Sequence, residues 1–168
     1  MRNHLRITLT AAVAAIFVAI PAVPAALHAQ ASQRGQPRTP FGTSDLGKLH
    51  WLQGDWAGSS TDEAPLYARY TFTNDSTVDI TYYRDAGFSQ PASTGRLYLS
   101  VGRLYTAYGP ARWGASRVDS TGVVFVPQVN VRSSLSWQFL SPDEWTATQR
   151  SGVGGHEHVT VYHMKRVR

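Results

Sequence analysis

From Leu66 onward the chain alternates apolar and polar residues. Leu66, Ala68, Tyr70 and Phe72 interleave with Tyr67, Arg69, Thr71 and Thr73, the period of two that marks a strand with one buried face. Asn74-Asp75-Ser76 then supplies a turn, and Val78, Ile80 and Tyr82 alternate with Asp79, Thr81 and Tyr83. After a loop containing Gly and Pro, Leu97, Leu99 and Val101 alternate with Arg96, Tyr98 and Ser100, and Gly102 marks a hairpin. Leu104, Thr106 and Tyr108 follow, then Arg112 to Val118, the turn Asp119-Ser120-Thr121-Gly122, and the apolar run Val123 to Val126. Leu135, Trp137 and Phe139 form the next alternation, Ser141-Pro142-Asp143 turns the chain, and Trp145 and Ala147 continue it. A Gly-rich loop, Gly152 to Gly155, precedes a last strand expected over Glu157 to Arg166.

This spacing predicts an all-β domain in which turn signals recur every ~8–12 residues. No connection is long enough to carry a crossover helix, so neighbouring strands should be antiparallel. The expected architecture is an up-and-down barrel of about 8–10 strands, because closure removes the exposed edges that a lone sheet has to protect. A β-sandwich is the alternative.

Two segments precede the strands. Asp45 is placed to cap a short helix whose Leu46, Leu49 and Leu52 recur at helical spacing, and Gly54 ends it. Gln30 to Ser44 is polar, with two Pro and two Gly, and reads as a disordered leader. Ahead of it, Arg2 and Arg6 flank the start of an uncharged apolar stretch, Ile7 to Ile20, and Pro21 and Pro24 lead to small residues. These are the parts of a secretory signal peptide, residues 1–29, with cleavage after Ala29 or Ala31. The apolar run is short of the ~20 residues that cross a bilayer. The mature protein is therefore expected in the periplasm or secreted, without stable membrane insertion, as one barrel domain over residues 45–168 and as a monomer.

Composition narrows the function classes. The chain has no Cys, so thiol catalysis, thiolate metal sites and disulfide staples are excluded in a compartment that would permit the last. Formal charge is +5 for the full chain, and loss of Arg2 and Arg6 with the signal lowers it to +3. The remaining Arg residues are scattered over strands and turns. A nucleic-acid partner would require a basic stripe interleaved with aromatics, and none is expected here.

Trp51-Leu52-Gln53-Gly54-Asp55-Trp56, led in by a short helix, resembles the entry to the calycins, the lipocalin-like barrels whose first strand carries Gly-x-Trp. It is also similar to bacterial exported lipocalin-like domains of unknown function that open Trp-Leu-x-Gly-x-Trp. The likeness in architecture extends over roughly Leu46 to Arg166. It implies that Gly54 lets the chain turn sharply into the barrel, that Trp56 plugs its closed end, and that Arg166 on the last strand packs against that Trp. The second strand departs from those relatives, reading Tyr67-Ala68-Arg69-Tyr70 where they often carry an acidic residue and Trp.

In such a barrel one face of each strand looks inward. The more apolar faces also carry Tyr70, Tyr82, Thr106, Tyr108 and Gln149, joined by His163 if Val159 and Val161 turn inward. Apolar walls with a few polar groups are the usual composition of a small-molecule site. These residues are therefore the candidate contacts for a small hydrophobic or amphipathic ligand. A barrel filled by its own side chains, acting as an interaction module through outward Tyr67, Tyr83, Tyr98 and Tyr105, is the second reading.

An acid/base enzyme built from Asp79 or Glu144 with His163 at the barrel mouth is the third. No nucleophile elbow, phosphate loop or dinucleotide fingerprint is present, so a binding role is preferred to an enzyme. His156 and His158, two apart on a strand, are candidates for a shared metal. No third ligand stands near them, so neither metal nor cofactor is expected.

Overall fold

The computed structural model of the chain describes residues 39–152 and 157–168. The signal segment and His156 lie outside the described residues. Ten strands follow one another without a crossover: β1 Gly54–Ser59, β2 Leu66–Asn74, β3 Thr77–Tyr83, β4 Pro91–Ser100, β5 Arg103–Tyr108, β6 Ala111–Asp119, β7 Gly122–Val129, β8 Ser134–Ser141, β9 Glu144–Ser151 and β10 His158–Arg166. Each pairs antiparallel with the next, and β1 pairs with β10 from Trp56↔Arg166 to Ser59↔His163. The sheet is thus a closed up-and-down barrel, not a sandwich.

Alternation in the sequence becomes the inside and outside of this barrel. Ala68, Tyr70, Val78, Ile80, Leu97, Leu104, Phe125, Trp145 and Met164 are all buried. Their neighbours Arg69, Asp79 and Arg96 face outward, where Arg69 pairs with Asp55 and Arg96 with Asp79. Lys165 likewise faces Glu144 on the outside. Val101 departs from the expected alternation. It is 98% exposed and, with Gly102, occupies the tip of the β4–β5 hairpin, both at positive φ (48° and 67°). Such a two-residue turn matches the twist of the flanking strands, and that gain outweighs the burial of one Val.

Residues ahead of Asp45 also pack on the domain. Phe41 donates its N–H to the Gly102 carbonyl at 2.9 Å and packs on the core, and helix α1 spans Thr43–Gly47. Gly42 is the N-cap. Asp45 is the third helical residue, and its carboxylate accepts the Gly42 N–H at 2.9 Å and the Lys48 ammonium at 2.7 Å. The helix stops at Gly47 and a separate 3-10 turn, His50–Leu52, follows. Splitting the segment lets Leu46, Leu49 and Leu52 all reach the core, where each is at most 1% exposed. Together they plug one end of the barrel.

Candidate functional site

Gly54 carries the chain from the plug into β1 at φ 117°, a conformation costly for any residue with a Cβ. A Cβ there would also lie 2.7 Å from Arg166 Nη1. Arg166 is therefore tied to this turn. Its guanidinium donates to the carbonyls of Gln53 (2.6 Å), Trp51 (3.1 Å) and Pro142 (2.9 Å) and lies 4.2 Å over the Trp56 ring. Trp56 Nε1 in turn donates to the Leu52 carbonyl at 2.6 Å. The groups that the resemblance assigned to barrel closure, Gly54, Trp56 and Arg166, meet in one cluster.

Inside the plug the barrel is filled by aromatic rings set edge to face. Trp145 contacts Trp56, Tyr70 and Trp137 at centroid distances of 5.8–5.9 Å, and Trp137 contacts Phe125 at 5.1 Å. Pairs of this geometry add about 0.5–1.5 kcal/mol each beyond their buried area. Trp145 Nε1 and Trp51 Nε1 are buried with no partner among the described residues. Leaving such donors unpaired costs ~1–3 kcal/mol each, which the packing of this end must offset.

Toward the other end the inner face changes character. Ala68, Ser93, Gly95, Ala111 and Ala147 occupy inward positions opposite one another or opposite tyrosines: Ala68↔Tyr82↔Ser93, Gly95↔Tyr108↔Ala111 and Ala147↔Tyr162. Tyr82, Ala111, Leu135, Ala147 and Tyr162 pack on the core yet are only half-buried.

Five of the predicted contacts face inward, four of them grouped along β2, β3 and β5. Tyr70 is 2% exposed, Thr106 is 5% exposed, Tyr108 is 48% exposed at the rim, and Tyr82 lies between Tyr70 and Tyr108. The Tyr82 and Tyr108 rings meet edge to face at 5.5 Å, and Tyr108 donates its hydroxyl to Ser93 Oγ at 3.1 Å. Among the described residues the hydroxyls of Tyr70 and Tyr82 make no such hydrogen bond, and neither is a fully buried orphan. Burial, with Tyr108 adding to it, pushes the Tyr82 phenol up to about 12. Burial, then Tyr82, holds Tyr70 well above the ordinary 10.

Gln149 faces inward at the rim, exposed, donating to Ser133 Oγ at 3.0 Å. Trp113 seats its ring beside it by donating Nε1 to the Ser133 carbonyl at 2.8 Å. His163 does not join them. Met164 is the inward residue and is 1% exposed, so Val159, Val161 and His163 point outward. The reason is packing against Gly58: a Cβ at Gly58 would lie within 3.3 Å of the Met164 methyl, a space shaped for an unbranched side chain. Nothing local in the sequence marks Gly58 and Met164, because they meet only where the first and last strands pair.

The proposed acid/base partners lie on the outer face, with Glu144 diagonal to His163 across β9 and β10. Asp79 is committed to Arg96 at 2.8 Å and Glu144 stands 3.6 Å from Lys165, and among the described residues no hydrogen bond links either to His163. His158 lies at the inner rim, its Nε2 3.2 Å from Thr160 Oγ1, and among the described residues no three His, Asp or Glu gather as a metal site. On the outer face Tyr98 stacks on Tyr105 (5.5 Å), while Tyr67 and Tyr83 pack on Phe88. A surface groove of about 690 Å³ runs beside Tyr98, lined by Asp79, Thr81, Thr94 and Arg96. Its charged groups already satisfy each other, and the groove is open to water. The inner face is the more specific candidate.

No protein-family model matches the sequence, and no curated protein matches it. Among solved structures the chain is similar to the crystal structure of Rv2717c from M. tuberculosis, at 13% identity over 74% of this chain and 98% of that one, with a TM-score of 0.39.

Proposed function

We propose that the domain is an exported binding protein that holds a small hydrophobic or amphipathic molecule in the half of the barrel away from the plug. The observation that carries this reading is the row of small inward residues Ser93, Ala111 and Ala147, each opposite a tyrosine that is not fully buried. A barrel of about eight strands is just wide enough for its own side chains to fill, and diameter grows roughly linearly with strand number. Ten strands with small residues on the inner face leave room that eight would not. Apolar walls with Tyr70, Tyr82, Thr106, Tyr108 and Gln149 at separate heights supply orientation.

Export rests on the charge and hydropathy pattern of residues 1–29. Among the described residues no helix is long and apolar enough to cross a membrane. The outer strand faces carry the ion pairs Asp55–Arg69, Asp79–Arg96 and Glu144–Lys165, unlike the apolar band of a lipid-facing barrel.

Titration of the delipidated mature protein with Nile red, a neutral dye that brightens in apolar surroundings, tests the proposal. Saturable 1:1 enhancement, lost in Ala147→Trp, is the expected result. Absence of saturable binding to the folded protein refutes it.

A further inference from the structure

Charge is distributed across the barrel wall with a consistent sense. Asp55, Arg69, Asp79, Arg96, Glu144 and Lys165 all lie on the outside. Arg166 has inward parity but is spent on three backbone carbonyls and the Trp56 ring at the plug. Among the described residues the inner face of the open half therefore carries no Lys, Arg, Asp or Glu. Arg84 and Arg132, in loops at that end, are exposed. At the rim Glu63 stands near enough to Tyr162 to raise its phenol pKa, second to burial.

We propose that this interior takes a neutral amphipath, a molecule with an apolar body and an uncharged hydrogen-bond acceptor, and that the phenols of Tyr70 and Tyr82 donate to that acceptor. The inference rests on the inner face being a binding site and adds the chemical class of its ligand. Tyr70 is 2% exposed and aromatic on nearly all sides, with Trp137 and Trp145 edge to face at 6.0 and 5.8 Å. Its hydroxyl has no hydrogen-bond partner among the described residues and, unlike the Trp51 and Trp145 indole nitrogens, is not sealed off, so a molecule entering the interior can reach it. A ligand carbonyl or ether oxygen satisfies it. A carboxylate brought to the same depth would lose its hydration with no cation to replace it, which is the costliest form of polar burial. The high pKa values of Tyr70 and Tyr82 keep both phenols protonated, hence donors, throughout the neutral range.

Three probes of nearly equal shape separate the alternatives: 2-acetylnaphthalene (neutral acceptor), 2-naphthoate (anion) and 2-ethylnaphthalene (no acceptor), each titrated calorimetrically into the delipidated full mature chain at neutral pH. The expected order is the ketone tightest, with the naphthoate at least ~10-fold weaker, since even part of the desolvation cost of an unpaired carboxylate exceeds one decade in affinity. Tyr82→Phe should weaken the ketone ~3–10-fold, the loss of about one neutral hydrogen bond, and leave 2-ethylnaphthalene unchanged. This variant removes one oxygen and keeps the ring, so it should fold. Naphthoate binding as tight as the ketone overturns the neutral-ligand inference and leaves the binding site standing. Equal loss of ketone and hydrocarbon on Tyr82→Phe overturns the donor role. Failure of all three probes to bind overturns both readings.

Discussion

The two halves of this barrel are built from the same alternation and reach opposite ends. At the plug, Trp56, Trp137, Trp145 and Phe125 interlock with the three leucines of α1 and the 3-10 segment, and Tyr70 stands at the boundary, its ring on Trp137 and Trp145 and its hydroxyl toward Tyr82. At the mouth, inward positions hold Ala, Ser and Gly opposite tyrosines. One half places bulky rings at its inward positions and the other places small residues beside tyrosines. The difference teaches that inward parity alone does not make a core. Side-chain volume at those positions decides whether a strand face packs or lines a cavity.

Truncation in the filled half should have the largest effect. Trp145→Ala removes the ring at the centre of the aromatic cluster and should cost ~3–5 kcal/mol of stability in chemical denaturation. A loss under about 1 kcal/mol would mean that the plug half is not the stability core. Arg166→Met keeps the stem but abandons the carbonyls of Trp51, Gln53 and Pro142, and should cost about 2 kcal/mol. Arg166→Lys should recover only part of it, because an ammonium lacks the planar fork that spans the three acceptors.

Alkaline titration compares the halves by a different route. The Tyr82 pKa is raised to about 12, so the native state keeps a proton that the unfolded chain releases near pH 10. The native state binds more protons in that window, and stability must fall as pH rises. The contribution is fully present below pH 10 and is lost between pH 10 and about 12, at up to ~1.4 kcal/mol per pH unit for this one phenol. Tyr82→Phe should flatten that slope in urea melts at successive pH values. An unchanged slope would place the Tyr82 hydroxyl in water.

The smallest stability effect is expected where volume is added to the open half. Ala147→Leu should change stability by less than ~1 kcal/mol, where overpacking a filled core typically costs ~1–3. The same substitution should weaken Nile red binding.

The barrel was legible because strand alternation and turn residues repeat through the chain. Leu66 to Phe72 and Trp137 to Phe139 keep the parity the sequence announced. Val101 did not, because hairpin twist at Gly102 outweighed its hydrophobicity. Asp45 caps the helix from its third position, its carboxylate accepting the N–H of Gly42, which holds the extended N-cap position itself. Among the candidate contacts, Tyr70, Tyr82, Thr106, Tyr108 and Gln149 face inward as their strands implied. The last strand was not decidable from Val159 and Val161, because apolar residues occupy both of its faces. Met164 against Gly58 sets the register across the β1–β10 seam, a long-range contact that no local pattern carries. The absence of charge from the inner face of the open half was equally hidden, since it depends on the parity of every strand at once.

The proposed binding role requires that the open half is not filled by its own side chains. A crystal of the mature domain pressurised with xenon tests this directly, because xenon enters apolar cavities that close packing has not eliminated. Xenon within reach of Leu135, Ala147 and Tyr162, and none among Trp56, Trp137 and Trp145, is the expected result. A barrel interior without xenon, or with xenon only beside the plug, would contradict it.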